Sequence, residues 1–287
     1  MSLTSFLDNN PDVREQFKQE FHKPSLRVKK DLLAPPLTKR YSTVGTAFDY
    51  LLRFYVKHLN PNTIDKGQWV AEIALALLQN YPSLYAKGEK IISQAKEREK
   101  TFLQTGQITD ELIESTLSLA YLDPIYRANQ GHEYVGMPID EKDIEDVRKL
   151  ISIIIPDYFK ARKLCIINPT FGTASIMVGG ADADIVVDDN IIDIKTTKKF
   201  ELQLRDFQQI IGYYVLHQIG GVGELQPKPE IKRVSIYFSR YAYLHTLDLE
   251  NIINEDTFPS FLEWFKERAM QEYGETPAKR VILVPKR

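Results

Sequence analysis

Cysteine is nearly missing from this chain of 287 residues, which contains only Cys165. One cysteine cannot form a disulfide within the chain, and it cannot supply a zinc or iron–sulfur site that needs several thiolates. The five histidines show no spacing typical of metal ligands. The low cysteine content is typical of a reducing compartment, so we predict a cytoplasmic location.

Long apolar runs and an excess of charge are missing too. No window approaches the ~20 apolar residues that span a bilayer, and the N-terminus lacks the features of a secretory signal. We therefore expect no membrane association. The formal net charge is only −2, so any surface for nucleic acid must be a local patch. Hydrophobic residues make up 43% of the chain, which is enough to bury a core.

The first half of the chain has helical periodicity. Apolar residues recur three and four apart from Pro11 to about Phe159, which predicts a helical layer. The expected helices cover residues 43–59 with Thr43 as a cap, 62–81, 84–103, 109–122 and 140–160. We predict that residues 1–160 form a mainly helical region, including the helix over 43–59, that packs on the core.

After Lys163 the pattern changes to short β-branched runs. Strands are predicted at residues 164–168, 174–178, 182–187, 191–196, 231–238, 241–247 and 280–284, with helices at 201–218 and 258–272. Residues 188–190 are turn formers suited to a tight hairpin. This order favours a mixed β-sheet flanked by helices, so the predicted class is α/β of the mixed α+β kind, with its core in residues 161–287.

Acids and a lysine occupy the two strands of the predicted hairpin. Because side chains alternate along a strand, Asp182 and Asp184 share one face of the first strand, while Ala183, Ile185 and Val187 line the other. Asp193 and Lys195 share a face of the second strand. Polar groups are therefore expected to converge on one side of the hairpin.

Carboxylates in this arrangement are suited to hydrolysis of a phosphodiester. The reaction needs an activated water and stabilisation of negative charge, and a hard divalent cation held by carboxylates provides both. Magnesium prefers oxygen ligands and keeps several waters, so Asp184, Asp193 and the backbone carbonyl of Ile194 would suffice to hold it. Lys195 could orient the water or neutralise a phosphate. We predict a site for Mg²⁺ or Mn²⁺.

The same residues resemble the PD-(D/E)XK nuclease superfamily in its RecB-type exonuclease branch. Asp184 is similar to the first acidic position, and Asp193-Ile-Lys195 is similar to the (D/E)XK element. Gln209-Ile-Ile-Gly-Tyr213 resembles a Gln-X-X-X-Tyr element on the helix after the lysine strand. The resemblance implies a restriction-endonuclease-like fold and a metal-dependent nuclease. Its catalytic residues would be Asp184, Asp193, Lys195, Gln209 and Tyr213.

The identity of a third, helix-borne metal ligand stays open. A Gly-Thr-X-X-His element often supplies a ligand in this branch, and Gly45-Thr-Ala-Phe-Asp49 resembles it with aspartate in place of histidine. Glu72 on the next predicted helix is the alternative donor. Asp182 is an additional acid, either a metal ligand, a residue that supports one, or a solvent-exposed side chain.

The predicted function is a metal-dependent nuclease, with DNA the favoured substrate. Two alternatives stay open. The chain could be a binding module that keeps the fold without cleaving, or a nuclease of a defence or mobile-element system that acts only with a protein partner docked on the helical region. A basic segment at residues 23–40, and Lys198-Lys199 after the lysine strand, are candidate contacts for a phosphate backbone.

Overall fold

The computed structural model describes residues 2–65 and 68–274, which form ten α-helices and one six-stranded β-sheet. Neighbouring strands of the sheet follow one another in chain order. They are β1 (Ile64–Asp65), β2 (Cys165–Ile167), β3 (Ile185–Val187), β4 (Asn190–Lys195), β5 (Arg233–Phe238) and β6 (Tyr243–Asp248). The β1/β2 and β4/β5 pairs are parallel and the other pairs are antiparallel. The predicted mixed α/β class is confirmed.

Five helices cover one face of the sheet. Their buried apolar side chains pack with the strand residues that point to that face, among them Ile185 and Ile192. The helices are α3 (Tyr41–Leu59), α4 (Val70–Leu77), α5 (Pro82–Thr105), α6 (Asp110–Ala128) and α7 (Glu141–Ser152).

The other five helices cover the opposite face, where Val186 and Ile191 are buried because strand side chains alternate. They are α1 (Leu3–Asn9), α2 (Pro11–Glu20), α8 (Thr173–Met177), α9 (Leu204–Gly220) and α10 (Phe258–Tyr273). Helix α9 is the crossover between the parallel strands β4 and β5. In the two described stretches of chain, every helix is too short or too polar to traverse a bilayer.

The first two helices pack beside the last one. The Phe6 and Phe17 rings meet the Phe265 ring edge-on at centroid distances of 5.7 and 5.9 Å, and the Phe21 ring lies 4.9 Å from Phe261. Edge-to-face aromatic pairs stabilise a core beyond the area that they bury. Residues 1–160 thus contribute helices to both faces of the sheet, and a division of the chain near residue 160 stays a prediction.

Four of the predicted elements are wrong at specific places. The helix expected over 140–160 ends at Ser152, and a separate 3-10 turn, Pro156–Tyr158, follows it. Residues 62–69 do not begin a helix, because Ile64–Asp65 form β1 and α4 starts only at Val70. Residues 174–178 belong to helix α8 and its end rather than to a strand. The helix predicted from residue 43 begins at Tyr41, with Arg40 rather than Thr43 at its cap. The strand predicted at 280–284 lies outside the described residues.

Helix α8 replaces the predicted strand because of packing against α9. At Gly220 a side-chain Cβ would stand 2.0 Å from the carbonyl oxygen of Phe171, so only glycine permits this close approach of the two segments. Ala174 and Val178 of this run are buried, whereas Ile176 is 49% exposed. A tertiary contact with a segment distant in the chain thus overrides the local strand preference.

Candidate functional site

The β3–β4 hairpin brings Asp184 and Asp193 to one end of the sheet. Asp188 and Asp189 form its two-residue turn, and Asp188 has the positive φ of 54° that such turns need. Asn190, also predicted to be in the turn, is instead the first residue of β4 and pairs with Val187. At the other end of the hairpin the backbone N–H of Ile194 donates to Oδ2 of Asp184 at 2.6 Å. Since Ile185 pairs with Ile192, Asp184 and Asp193 lie opposite each other.

Asp182 lies near the cluster, because its charge raises the pKa of both Asp49 and Tyr213. It is exposed and forms an isolated bridge with Thr170, because the regular strand begins only at Ile185. Ala183 packs with the helices on the side opposite Ile185. The prediction that Ala183 shares a face with the alternate residues of β3 is therefore wrong.

Lys195 links the sheet to α9. Its Nζ lies 2.8 Å from Oδ2 of Asp193 and donates a hydrogen bond to Oε1 of Gln209 at 2.9 Å. Nε2 of Gln209 in turn donates to the hydroxyl of Tyr213 at 2.8 Å. Gln209 and Tyr213 are one helical turn apart, which places them on the same face of α9. The structure thus brings these four predicted residues together.

Asp206 belongs to the same cluster and was missed by the sequence analysis. Its Oδ1 lies 3.6 Å from Nζ of Lys195. Burial raises the pKa of Asp206, and the charge of Lys195 only partly offsets this effect. Its position three residues before Gln209 was the signal available in the sequence, because residues three apart share a helix face.

Asp49 approaches the acids from α3, on the other side of the sheet. Helix α3 comes close to the end of β4, where a Cβ added at Gly45 would lie 3.6 Å from Cβ of Thr196. Asp49 forms an ion pair with Arg53, a buried side chain that also lies over the Tyr50 ring at 4.9 Å. Burial raises the pKa of Asp49, although the charge of Arg53 opposes the shift.

Arg53 was also missed, although its place four residues after Asp49 indicates an ion pair on one helix face.

Glu72, the alternative donor, contacts neither hairpin acid. It closes the N-terminal cap of α4 by accepting a hydrogen bond from the Trp69 N–H at 2.7 Å, and its other oxygen pairs with Lys96. Among the predicted helix-borne acids, the structure therefore brings Asp49 and not Glu72 to the hairpin.

The site holds more negative than positive charge. Burial raises the pKa of Asp184 well above its usual range, and the nearby charges of Asp193 and Asp49 add to the shift. Burial alone would lower the pKa of Lys195, but Asp193 and the other acids outweigh it and raise that pKa. Burial and the same acids raise the pKa of Tyr213 well above 10, so its hydroxyl stays protonated.

The donor chemistry of the site fits a hard divalent cation. Oδ1 of Asp49 is buried without a hydrogen-bond partner. Oδ2 of Asp193 lies 2.8 Å from the Lys195 ammonium. Unsatisfied carboxylate oxygens are the ligands that Mg²⁺ and Mn²⁺ prefer. Among the described residues, no group of three or more acidic, histidine or cysteine side chains is arranged to hold a metal ion.

Comparison of the chain with protein-family models, with curated proteins and with solved structures found no match. Membership of a family is therefore a proposal that depends on the geometry of the site. The described residues show a mixed α/β fold with an acid–lysine cluster at one end of its central hairpin.

Proposed function

We propose that this chain is a metal-dependent nuclease with the restriction-endonuclease-like fold of the PD-(D/E)XK superfamily, similar to its RecB-type branch. The observation that carries the proposal is the position of Lys195. Lys195 is on β4, 2.8 Å from Asp193, and it donates a hydrogen bond to Gln209 on the crossover helix α9. Strand β4 pairs with β3, which begins directly after Asp184. Acids, lysine and glutamine therefore meet at one point from three separate elements.

Asp184 and Asp193 would hold Mg²⁺ or Mn²⁺, together with the backbone carbonyl of Ile194. Asp49 is the proposed helix-borne ligand, because its charge acts directly on Asp184. When bound, the cation would polarise the phosphodiester and lower the pKa of a coordinated water. The raised pKa of Asp184 makes that carboxylate costly to ionise without a neighbouring cation. A divalent ion relieves this cost, which favours its binding.

The chain's own side chains set the geometry of Lys195. Gln209 accepts from its ammonium and donates to Tyr213, so the amide can point in only one direction. Asp206 adds a second negative charge 3.6 Å from the same ammonium, which keeps Lys195 protonated. A protonated, fixed lysine is suited to neutralising a scissile phosphate or orienting the attacking water.

An assay on linear and circular DNA, single- and double-stranded, tests the proposal and also reveals whether ends are required. It compares wild type with Lys195→Ala and Asp193→Asn in Mg²⁺ and in Mn²⁺. We expect cleavage by wild type only with a metal, and loss of cleavage in both variants.

Matched controls come from an exposed ion pair of the same residue types. The Lys160 and Asp157 side chains are 57% and 85% exposed, so Lys160→Ala and Asp157→Asn remove the same groups without touching the site. Full activity in these controls, with none in the site variants, supports the proposal. Metal-dependent cleavage that survives Lys195→Ala and Asp193→Asn would refute it.

One observation favours a second candidate, a nucleic-acid-binding module that does not cleave. Asp49 and Asp193 are already paired with Arg53 and Lys195, and over the described ranges no ready metal-binding group is present. A module of this kind would bind DNA in EDTA and show no turnover with either metal. Calorimetric titration with Mn²⁺ separates the candidates, because only the nuclease requires a cation site that Asp193→Asn abolishes.

A further inference from the structure

Two basic segments of the chain meet beyond the carboxyl ends of β4 and β5. These parallel strands end side by side at the paired residues Lys195 and Phe238. A short 3-10 turn, Ser239–Tyr241, follows β5 at this end of the sheet. The loop that begins at residue 196 follows β4 there, and the extended segment 21–40 crosses the same region.

The 3-10 turn holds both segments in place. The Arg240 carbonyl accepts hydrogen bonds from the backbone N–H groups of Leu33 and Ala34 at 3.0 and 3.1 Å. The Tyr241 hydroxyl donates to the Lys198 carbonyl. Beneath them, the buried Arg240 guanidinium binds both Asp146 and the Ala34 carbonyl. The backbones that carry the basic side chains are therefore anchored beside the end of the lysine strand.

Six exposed cations project from these two anchored segments, and we name them the basic rim. None of the six has an ion-pair partner within residues 2–65 and 68–274, in contrast to Arg40, which pairs with Asp140 and Asp143. Their charges are thus available to an anionic ligand. The basic rim consists of Arg27, Lys29, Lys30, Lys39, Lys198 and Lys199.

Aromatic rings lie between the cations. The Tyr41 side chain is 47% exposed, and Nζ of Lys198 lies 5.9 Å from its ring centre. Nζ of Lys30 lies 5.1 Å from the ring of Tyr243. An open groove runs past Tyr41 and Lys39. Tyr41 is the exposed ring of the two, and Tyr243 is half-buried. Cations beside an exposed aromatic ring are typical of surfaces for single-stranded nucleic acid, which bind phosphates and unpaired bases together.

We infer that the basic rim binds the phosphates of single-stranded nucleic acid, that Tyr41 stacks on one base, and that the bound strand leads to Lys195. The inference rests on the proposed nuclease function. It adds that the substrate is single-stranded and that it runs from the basic rim to Lys195. The chain as a whole carries a net charge of −2 and the site itself is acidic, so both repel a phosphate backbone. The rim supplies the local attraction that offsets this repulsion.

Fluorescence anisotropy with a labelled oligothymidylate in EDTA measures this binding without cleavage. We expect Lys198→Ala/Lys199→Ala to weaken binding about tenfold and to lower the salt slope of log K by about 1.4, since each phosphate contact on a single strand contributes about 0.7. We expect Tyr41→Ala to weaken binding about tenfold with the slope unchanged, because stacking releases no counterions. The control is Lys90→Ala/Lys100→Ala, which removes two exposed lysines of α5.

Equal affinity of the rim variant and the α5 control overturns the inference. So does stronger binding of a duplex of the same length, or a Tyr41→Ala variant that binds like wild type. Rim-dependent binding without cleavage in Mg²⁺ or Mn²⁺ would contradict the nuclease and leave the rim assignment standing. Cleavage together with binding that the rim substitutions do not weaken would contradict the rim assignment and leave the nuclease proposal standing. Melting curves that match wild type establish that the exposed substitutions leave the fold intact.

Discussion

Gln209 accepts a hydrogen bond from the ammonium of Lys195 at 2.9 Å and so ties the lysine of β4 to helix α9. The amide of Gln209 is held in turn by its second hydrogen bond, to the Tyr213 hydroxyl. A flexible lysine side chain gains a fixed direction from this arrangement, because the helix and the strand are both parts of the packed core. The position of Lys195 therefore depends on residues that need not touch a substrate.

Replacement of Gln209 by leucine should impair catalysis without unfolding the protein. A hydrogen bond to a charged group contributes about 1.5–3 kcal/mol, so we expect kcat for DNA cleavage to fall about 10- to 100-fold. Tyr213→Phe should have a smaller effect, since it acts through Gln209. The double variant should be no slower than Gln209→Leu alone, because Gln209→Leu already breaks the hydrogen bonds that connect Lys195 to Tyr213. Additive losses would show that the two residues act separately.

Asp184→Asn should stabilise the metal-free protein at neutral and alkaline pH. The folded-state pKa of Asp184 is raised, so stability falls as pH rises from the unfolded value of about 3.9 through the folded one. The asparagine oxygen can still accept from the Ile194 N–H. In EDTA we expect a melting temperature a few degrees above wild type at pH 8 and no gain near pH 4.

Manganese should reverse this order. A cation that binds only the folded state stabilises it, so added Mn²⁺ should raise the melting temperature of wild type and leave Asp184→Asn unchanged. An equal response of the two proteins would place the cation elsewhere.

Asp146→Ala should be strongly destabilising. Asp146 and Arg240 form an ion pair in which both side chains are 1% exposed, and removal of one partner from a buried pair costs about 3–5 kcal/mol because the other charge stays unpaired. Urea denaturation measures the loss. Asp157→Ala breaks an exposed pair with Lys160 and should cost less than about 0.5 kcal/mol. Similar costs for the two substitutions would contradict the buried assignment.

His217 should make the fold sensitive to acid. Burial, assisted by the charge of Lys228, lowers the pKa of His217 to about 4. A depressed histidine pKa means that stability present above about pH 6.5 is lost as pH falls toward the folded value, since only the unfolded ring takes up a proton readily. His217→Gln should flatten the dependence of unfolding free energy on pH between 4 and 6.5. Parallel curves for the two proteins would show that another group is responsible.

The hairpin could be predicted because its signals are local. Consecutive β-branched residues flank Asp188-Asp189, and the turn chemistry of these acids sets the register that places Asp184 opposite Asp193. The spacing of Gln209 and Tyr213 is equally local. The fold class and the main cluster therefore followed from short stretches of chain.

The elements that were mispredicted depend on distant partners. Strand β1 exists because Ile64 pairs with Ile166, about a hundred residues away, and nothing near residue 64 announces that pairing. Helix α8 depends on the close approach at Gly220. Asp206 and Arg53 are a different case. Their helical spacing from Gln209 and Asp49 is visible in the sequence, but the helix face that packs against the hairpin is set by tertiary structure.

Cleavage of DNA by Lys195→Ala decides whether the acid–lysine cluster is a catalytic site. The measurement is the single-turnover rate on a labelled linear DNA in Mn²⁺, for wild type, Lys195→Ala and the exposed control Lys160→Ala. We expect cleavage by wild type and Lys160→Ala and none by Lys195→Ala. Equal rates for all three proteins, or no cleavage by any of them, would contradict the nuclease assignment.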